Sequence, residues 1–179
     1  MSCQPGDAVL KSGLMLDIKV LTAAKWTTLR DIRLAALDES PQAFLSTHKR
    51  EISWGEEQWI AEFDRGDWSI GFIDDQAVSL LGATRTPKTP SHECYLEYLW
   101  VAPGHRRSKV AYRMLAFTCD RLRALGVQTA FLYVLDGNDA AMRLYKRAGF
   151  TSAREPEPLE EYPGRSEELL QRRLSPAAG

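Results

Sequence analysis

Cysteine is scarce in this chain: 3 residues in 179, at Cys3, Cys94 and Cys119, without a C-x-x-C pair or ligand-like spacing. An odd, scattered set closes no disulfide framework and outlines no metal site, which points to a reduced, cytoplasmic protein. His48, His92 and His105 are equally dispersed and suggest neither a metal centre nor a triad, so no metal is implied. Long apolar runs are missing as well. None approaches the ~20 residues of a membrane span, and residues 1–13 lack the cationic start, apolar centre and small-residue cleavage pattern of an export signal. Neither sign of charge dominates. The 23 Lys and Arg nearly balance 24 Asp and Glu, for a formal net charge of -1, which argues against nucleic-acid binding through bulk electrostatics. Repeats and low-complexity tracts are absent. What is present is an ordinary globular composition, 44% hydrophobic and 26% charged, on a length that supports one domain with a sizeable core. The expected organisation is a flexible leader over 1–13, a single domain over 14–175 and a loose tail over 176–179.

Periodicity places the elements. Residues 16–21 alternate apolar and polar side chains as a half-buried strand. Thr27 or Thr28 then caps a helical pattern carried by Leu29, Ile32, Leu34, Ala35 and Leu37 and stopped at Ser40-Pro41. Residues 56–63 put Trp59, Ile60 and Phe63 on one helical face, and with Trp54 and Trp68 these aromatics read as core packing. Strands follow over 68–73 and 77–84, joined by an Asp74-Asp75 hairpin turn, and over 93–101 after a loop marked by Pro87, Pro90 and Ser91. Next, Val110, Met114 and Phe117 form one row and Ala111, Leu115 and Leu122 another, so a helix over about 108–125 buries an apolar stripe and ends at Gly126. Cys119 falls inside it as an inert buried thiol. Residues 129–135 are apolar on both faces, as in a central strand, and the strand-helix-strand order makes a parallel crossover unit. Asn138 caps a helix in which Ala141, Leu144, Tyr145 and Ala148 share a face, and Gly149 ends it. Strands over 150–153 and 168–174 complete the pattern, separated by an acidic loop over 155–161.

The chemistry is concentrated between Leu99 and Ala111. An apolar strand, Leu99, Trp100 and Val101, runs through a Pro103-Gly104 turn into Arg106, Arg107 and Lys109 at the start of an amphipathic helix. The first N–H groups of a helix have no internal partner and its dipole adds positive charge there, so phosphate or pyrophosphate is favoured at this point. A second motif, N-x-x-A-x-x-x-Y-x-x-x-G-F, stands at Asn138, Ala141, Tyr145, Gly149 and Phe150. Together with V-x-P-x-x-R at Val101, Pro103 and Arg106, this order of motifs resembles the Gcn5-related N-acetyltransferase (GNAT) superfamily over residues 16–174.

The resemblance implies an α/β (α+β) fold, with a mixed, mostly antiparallel six- or seven-stranded sheet flanked by helices and splayed at its central strands. It implies an acyl-CoA-dependent N-acyltransferase, foremost one that moves acetyl from acetyl-CoA to a primary amine by direct attack. Carried onto this sequence, the donor runs along the backbone of Leu99, Trp100 and Val101. Its pyrophosphate meets the loop and helix start at Arg106, Arg107, Ser108, Lys109, Val110, Ala111 and Tyr112, while Asn138 and Ala141 flank the pantetheine arm. Tyr145 serves the departing thiolate: a phenol with pKa about 10 stays protonated at neutral pH and can donate to the thiolate of a thiol with pKa about 8.5. Glu97, in the middle of the strand that approaches the acyl group, is the candidate general base, directly or through water, with Glu93 second. The acceptor class is a small-molecule or protein amine, and a homodimer is compatible with the family.

The loop departs from the family pattern. Where R-G-x-G-x-G/A has its first glycines, this chain has Arg107 and Lys109, and only the small Ala111 is kept. Glycine lets a backbone approach phosphate closely and relieves limits on its dihedrals. The sequence leaves two outcomes open: Lys109 crowds the pyrophosphate, or it points outward and adds charge. Two other readings stay open with them, a GNAT-fold binding or regulatory module with impaired acetyl-CoA use, and a relative acting on a different acyl-thioester.

Overall fold

The computed structural model describes residues 8–9 and 15–174, the first two by their backbone only. The elements in order are β1 (Ala8–Val9), β2 (Met15–Val20), α1 (Trp26–Glu39), α2 (His48–Glu51), α3 (Glu56–Arg65), β3 (Gly66–Ile73), β4 (Gln76–Thr84), β5 (Glu93–Val101), α4 (Val110–Ala124), β6 (Thr129–Leu135), α5 (Asp139–Arg147), β7 (Thr151–Ser152), β8 (Glu157–Pro158) and β9 (Ser166–Arg173). Strand order is β1-β2-β3-β4-β5-β6-β9-β7, with β8 on β9. Only β5 and β6 run parallel. The sheet has nine strands, but β1, β7 and β8 are two-residue ribbons, so six strands carry it. The expected leader and tail lie outside the described residues, apart from β1, which pairs antiparallel with Met15 and Leu16.

Two apolar layers hold the sheet between helices. On one face α4 and α5 bury Val110, Met114, Leu115, Cys119 and Tyr145 against Leu16, Val78, Cys94, Leu96, Ala130 and Leu132. On the other, Leu29, Ile32 and Ala36 of α1 cover Trp68, Ile70, Leu80 and Trp100. Burial on both faces explains why β4 reads as a near-continuous apolar run.

Local chemistry sets the joints. Asp74 and Asp75 both take positive φ (49° and 61°) and link Ile73 to its partner Gln76, the two-residue turn whose twist suits a hairpin, in residues that tolerate αL. The expected Thr27 or Thr28 cap does not form. A 3₁₀ turn over Ala23–Lys25 runs directly into α1, so Lys25 holds the cap position without a side-chain bond and both threonines lie inside the first turn. α1 stops at Ser40 and Pro41, as expected. The four-residue α2 is too short to show a period, and β8 arises inside the acidic loop only because β9 lies beside it. Among the described residues, no helix is long and apolar enough to cross a membrane.

Candidate active site

The site begins as a failure of strand pairing. β5 and β6 are bonded only from Glu93, Cys94 and Tyr95 to Thr129, Ala130 and Phe131. Beyond these positions β5 continues to Val101 and β6 to Leu135 with no pairing between them, so the sheet splits toward the strands' C-terminal ends. A bulge bends β5 along the split: Gly82 faces Glu97 and Leu80 faces Trp100, leaving Tyr98 and Leu99 opposite Leu81 alone. Tyr98 takes φ 58° there.

α4 and α5 flank a cavity of about 1150 Å³ at this split. The loop between β5 and α4 forms one wall. Its backbone turns through positive φ at Arg107 (62°) and Lys109 (67°), the two positions where glycine was expected. The loop therefore keeps glycine-type geometry without glycine. The amide N–H groups of residues 107–112 find no acceptor among the described residues, whereas those of His105, Arg106 and Arg113 bond to Ala102, Pro103 and Lys109 carbonyls. Such a row of unpaired donors at a helix start is a site for an anion.

Arg106 lines the same cavity but is already engaged. Its Nε donates to the Val101 carbonyl at 2.9 Å, and its Nη2 donates to Glu39 at the end of α1. Glu39 also accepts from Trp100 Nε1 at 3.0 Å and Ser40 Oγ at 2.5 Å. The Ser40 hydroxyl and Arg106 together hold the Glu39 carboxyl down to about 2. Ser108 turns its hydroxyl back onto the His105 carbonyl.

The opposite wall is α5. Asn138 Oδ1 accepts from the Ala141 amide at 3.2 Å, the expected cap. At the far end Gly149 takes φ 86°, the Phe150 amide bonds the Tyr145 carbonyl at 3.0 Å and the Gly149 amide bonds that of Lys146 at 3.1 Å, a Schellman ending that only a residue free of Cβ adopts without strain. The Tyr145 ring is pinned edge-on to Phe150, with centroids 6.0 Å apart. Its hydroxyl has no hydrogen bond among the described residues, the residue lines the cavity, and burial pushes its pKa above the ordinary phenol value.

Glu97 lies on the other face of the split, in a second cavity of about 370 Å³ lined also by Tyr95, Tyr133 and Thr84. Arg65 Nη2 approaches its carboxylate at 3.2 and 3.5 Å. Behind Arg65 runs a buried ion network. Arg65 bonds Glu62 at 3.1 Å, Glu62 bonds Arg33 at 2.6 Å, and Arg33 bonds Glu51 twice, at 2.6 and 3.0 Å. Arg33 is fully buried, ringed by Trp54, Trp59, Trp68 and Tyr98 with its guanidinium 4.1 Å from the Tyr98 centroid. Tyr98 in turn donates its hydroxyl to Glu51 at 3.2 Å, and burial raises its pKa. Among the described residues, no cluster of three His, Cys, Asp or Glu could hold a metal.

A sequence profile of the Acetyltransferase (GNAT) family matches residues 29–150. The chain belongs to this family. Solved structures agree with this GNAT fold. A GNAT acetyltransferase from Streptococcus pneumoniae superposes with TM-score 0.74 at 15% identity, covering 89% of this chain and 99% of that one. The protein yncA from Salmonella typhimurium, solved with its cofactor acetyl-CoA, gives 0.72 at 14% identity over 92% and 96%. A ribosomal-protein-alanine N-acetyltransferase from Brucella melitensis gives 0.68 at 18% identity over 88% and 99%. No curated protein sequence matches the chain.

Within this GNAT fold, every sequence-derived donor-site position except Ser108 lines the larger cavity together with Tyr145, while Glu97 lies across the split. Sequence reasoning missed Leu144 and Arg147 as cavity residues, although Leu144 follows Ala140 and Ala141, and Arg147 follows Leu144, at helical spacing. It also missed Gln42, Ala43, Phe44 and Arg165, which reach the cavity from distant parts of the chain and carry no local signal. Arg33, Glu51 and Glu62 were equally silent, since charged residues at their spacing read as solvated faces.

Proposed function

We propose that this GNAT protein is an acetyltransferase that takes acetyl from acetyl-CoA and passes it directly to a primary amine, on a small molecule or a protein. The observation that carries this reading is the row of unbonded amides at residues 107–112, facing a large cavity beside a split sheet edge. The chain fits the donor: those amides suit a diphosphate, the unpaired edge of β5 at Leu99, Trp100 and Val101 runs along the pantetheine, and Asn138 and Ala141 close the other side. Acetyl-CoA supplies the activated acyl thioester. Tyr145 Oη donates its proton toward the sulfur. Because burial raises the phenol's pKa, its part is a strong hydrogen bond to the thiolate more than complete surrender of the proton. Glu97 takes the amine's proton from the opposite face, through water, with Arg65 fixing its carboxylate.

Calorimetry and steady-state kinetics test this reading. Wild-type protein binds acetyl-CoA and releases CoA when amines are added. Tyr145→Phe lowers kcat by about 100-fold while acetyl-CoA affinity stays within about 2-fold, because the phenol helps the leaving group and not the resting complex. Unchanged turnover removes Tyr145 from the chemistry. Failure of wild-type protein to bind acetyl-CoA at saturation favours the binding-module reading.

A further inference from the structure

We propose that the side chains of Arg107, Lys109 and Arg147 read the phosphate charge of the donor, selecting a CoA thioester with its 3′-phosphate over one without it. This rests on the donor site proposed above. Five Arg or Lys side chains line the cavity, against Asp136 as its one carboxylate. Two of the five are already matched: Arg165 bonds Asp136 at 2.8 Å, and Arg106 is held by Glu39. Arg107, Lys109 and Arg147 have no carboxylate partner among the described residues, although they face one cavity and repel one another.

The backbone sharpens the point. Arg107 and Lys109 occupy left-handed conformations that glycine enters without strain and an L side chain does not. Nothing in the loop's geometry calls for a long side chain there. Both are exposed at the cavity wall, so neither contributes buried packing in exchange. A strained, unpaired and exposed cation at each of two such positions makes sense through charge presented to a ligand. The amide row already serves a diphosphate. The three side-chain cations exceed that need and match the further phosphate that CoA carries on its ribose, a group that phosphopantetheine on a carrier protein lacks.

Affinities for CoA and for 3′-dephospho-CoA, measured by calorimetry on the full chain at two salt concentrations, test the inference. Wild-type protein prefers CoA by about tenfold or more, and the preference shrinks with salt. The R107G/K109G variant, which relieves strain and melts no lower than wild type, loses most of that preference by weakening CoA while dephospho-CoA changes little. R147Q, on a separate helix, erodes it in the same direction. Equal wild-type affinities for the two compounds overturn the inference, as does a glycine pair that keeps or tightens CoA. A wild-type protein that binds neither compound refutes the donor-site reading itself.

Discussion

Tyr98, Arg107 and Lys109 share an uncommon property, a left-handed backbone in a residue other than glycine, and all three stand at the split in the sheet. Each such conformation costs roughly 1–2 kcal/mol, so the strain has to be offset by neighbours. For Tyr98 the offset is visible: its ring stacks on Phe44 at 5.6 Å, covers Arg33, and its hydroxyl reaches Glu51. The bulge it creates sets where Leu99 meets the cavity. Glu97, one residue earlier, points to the opposite face, and this separation of roles gives a kinetic signature. Glu97→Gln lowers kcat/KM for the amine by about 100-fold while leaving the acetyl-CoA dissociation constant unchanged in a calorimeter. Weakened acetyl-CoA binding would place the carboxylate on the donor side and defeat the assignment. The two described cysteines are buried, and burial pushes the Cys94 thiol up to about 11 and raises that of Cys119.

At the level of elements, the C-terminal end of α1 is fastened to the loop between β5 and α4 by Glu39, which gathers Ser40, Arg106 and Trp100 around one carboxylate. The folded state holds this carboxyl down to about 2, against about 4.3 for an unfolded glutamate. The native state thus favours the ionised form, and its contribution to stability is complete above the unfolded pKa and vanishes as pH falls through the folded one. Urea titrations of wild type and Glu39→Gln should therefore differ most near neutral pH and converge between about pH 4.3 and about pH 2. A gap that stays constant over this range would show that ionisation of Glu39 is not what holds the loop.

The same clamp shows what was legible in advance. α1, α3, α4 and α5 and the six long strands each announce themselves by apolar period, turn residues or a terminal glycine, because those signals are local. The grouping of the loop and α5 residues around one cavity was legible for the same reason, since they sit on one loop and one helix face. The Glu39 to Arg106 contact joins residues 67 positions apart, and the Arg33 network joins α1, α2 and α3. No short window of sequence holds such pairings. The failed Thr27 or Thr28 cap belongs with them, as a preceding 3₁₀ turn made the cap unnecessary.

For the whole molecule the decisive term is the buried charge behind Glu97 and Arg65. Arg33 and Glu51 are completely removed from solvent, and their mutual bonds and those to Glu62 offset a large desolvation cost. Removing one partner leaves the other stranded. Glu51→Ala should cost about 3–5 kcal/mol in urea unfolding, a large share of the roughly 5–15 kcal/mol that holds a domain together. Replacing Arg33, Glu51 and Glu62 together with Met, Leu and Leu should cost far less, because no uncompensated charge remains. A Glu51→Ala variant within about 0.5 kcal/mol of wild type, the scatter of surface substitutions, would mean that water reaches Arg33 and the network is not dry.

The short β5 and β6 pairing has one more consequence. All strands before the split come from residues 8–101 and all those after it from residues 129–173, so the sheet consists of two wings, each contiguous in sequence, hinged at Glu93, Cys94 and Tyr95. Past the hinge, two bare strand edges face one another, and each shields the other from the edge-to-edge association that exposed strands invite. A ligand bonded to both edges would tie the two wings together. It would complete the sheet as a missing strand does, and the protein's resistance to prying apart would then depend on occupancy.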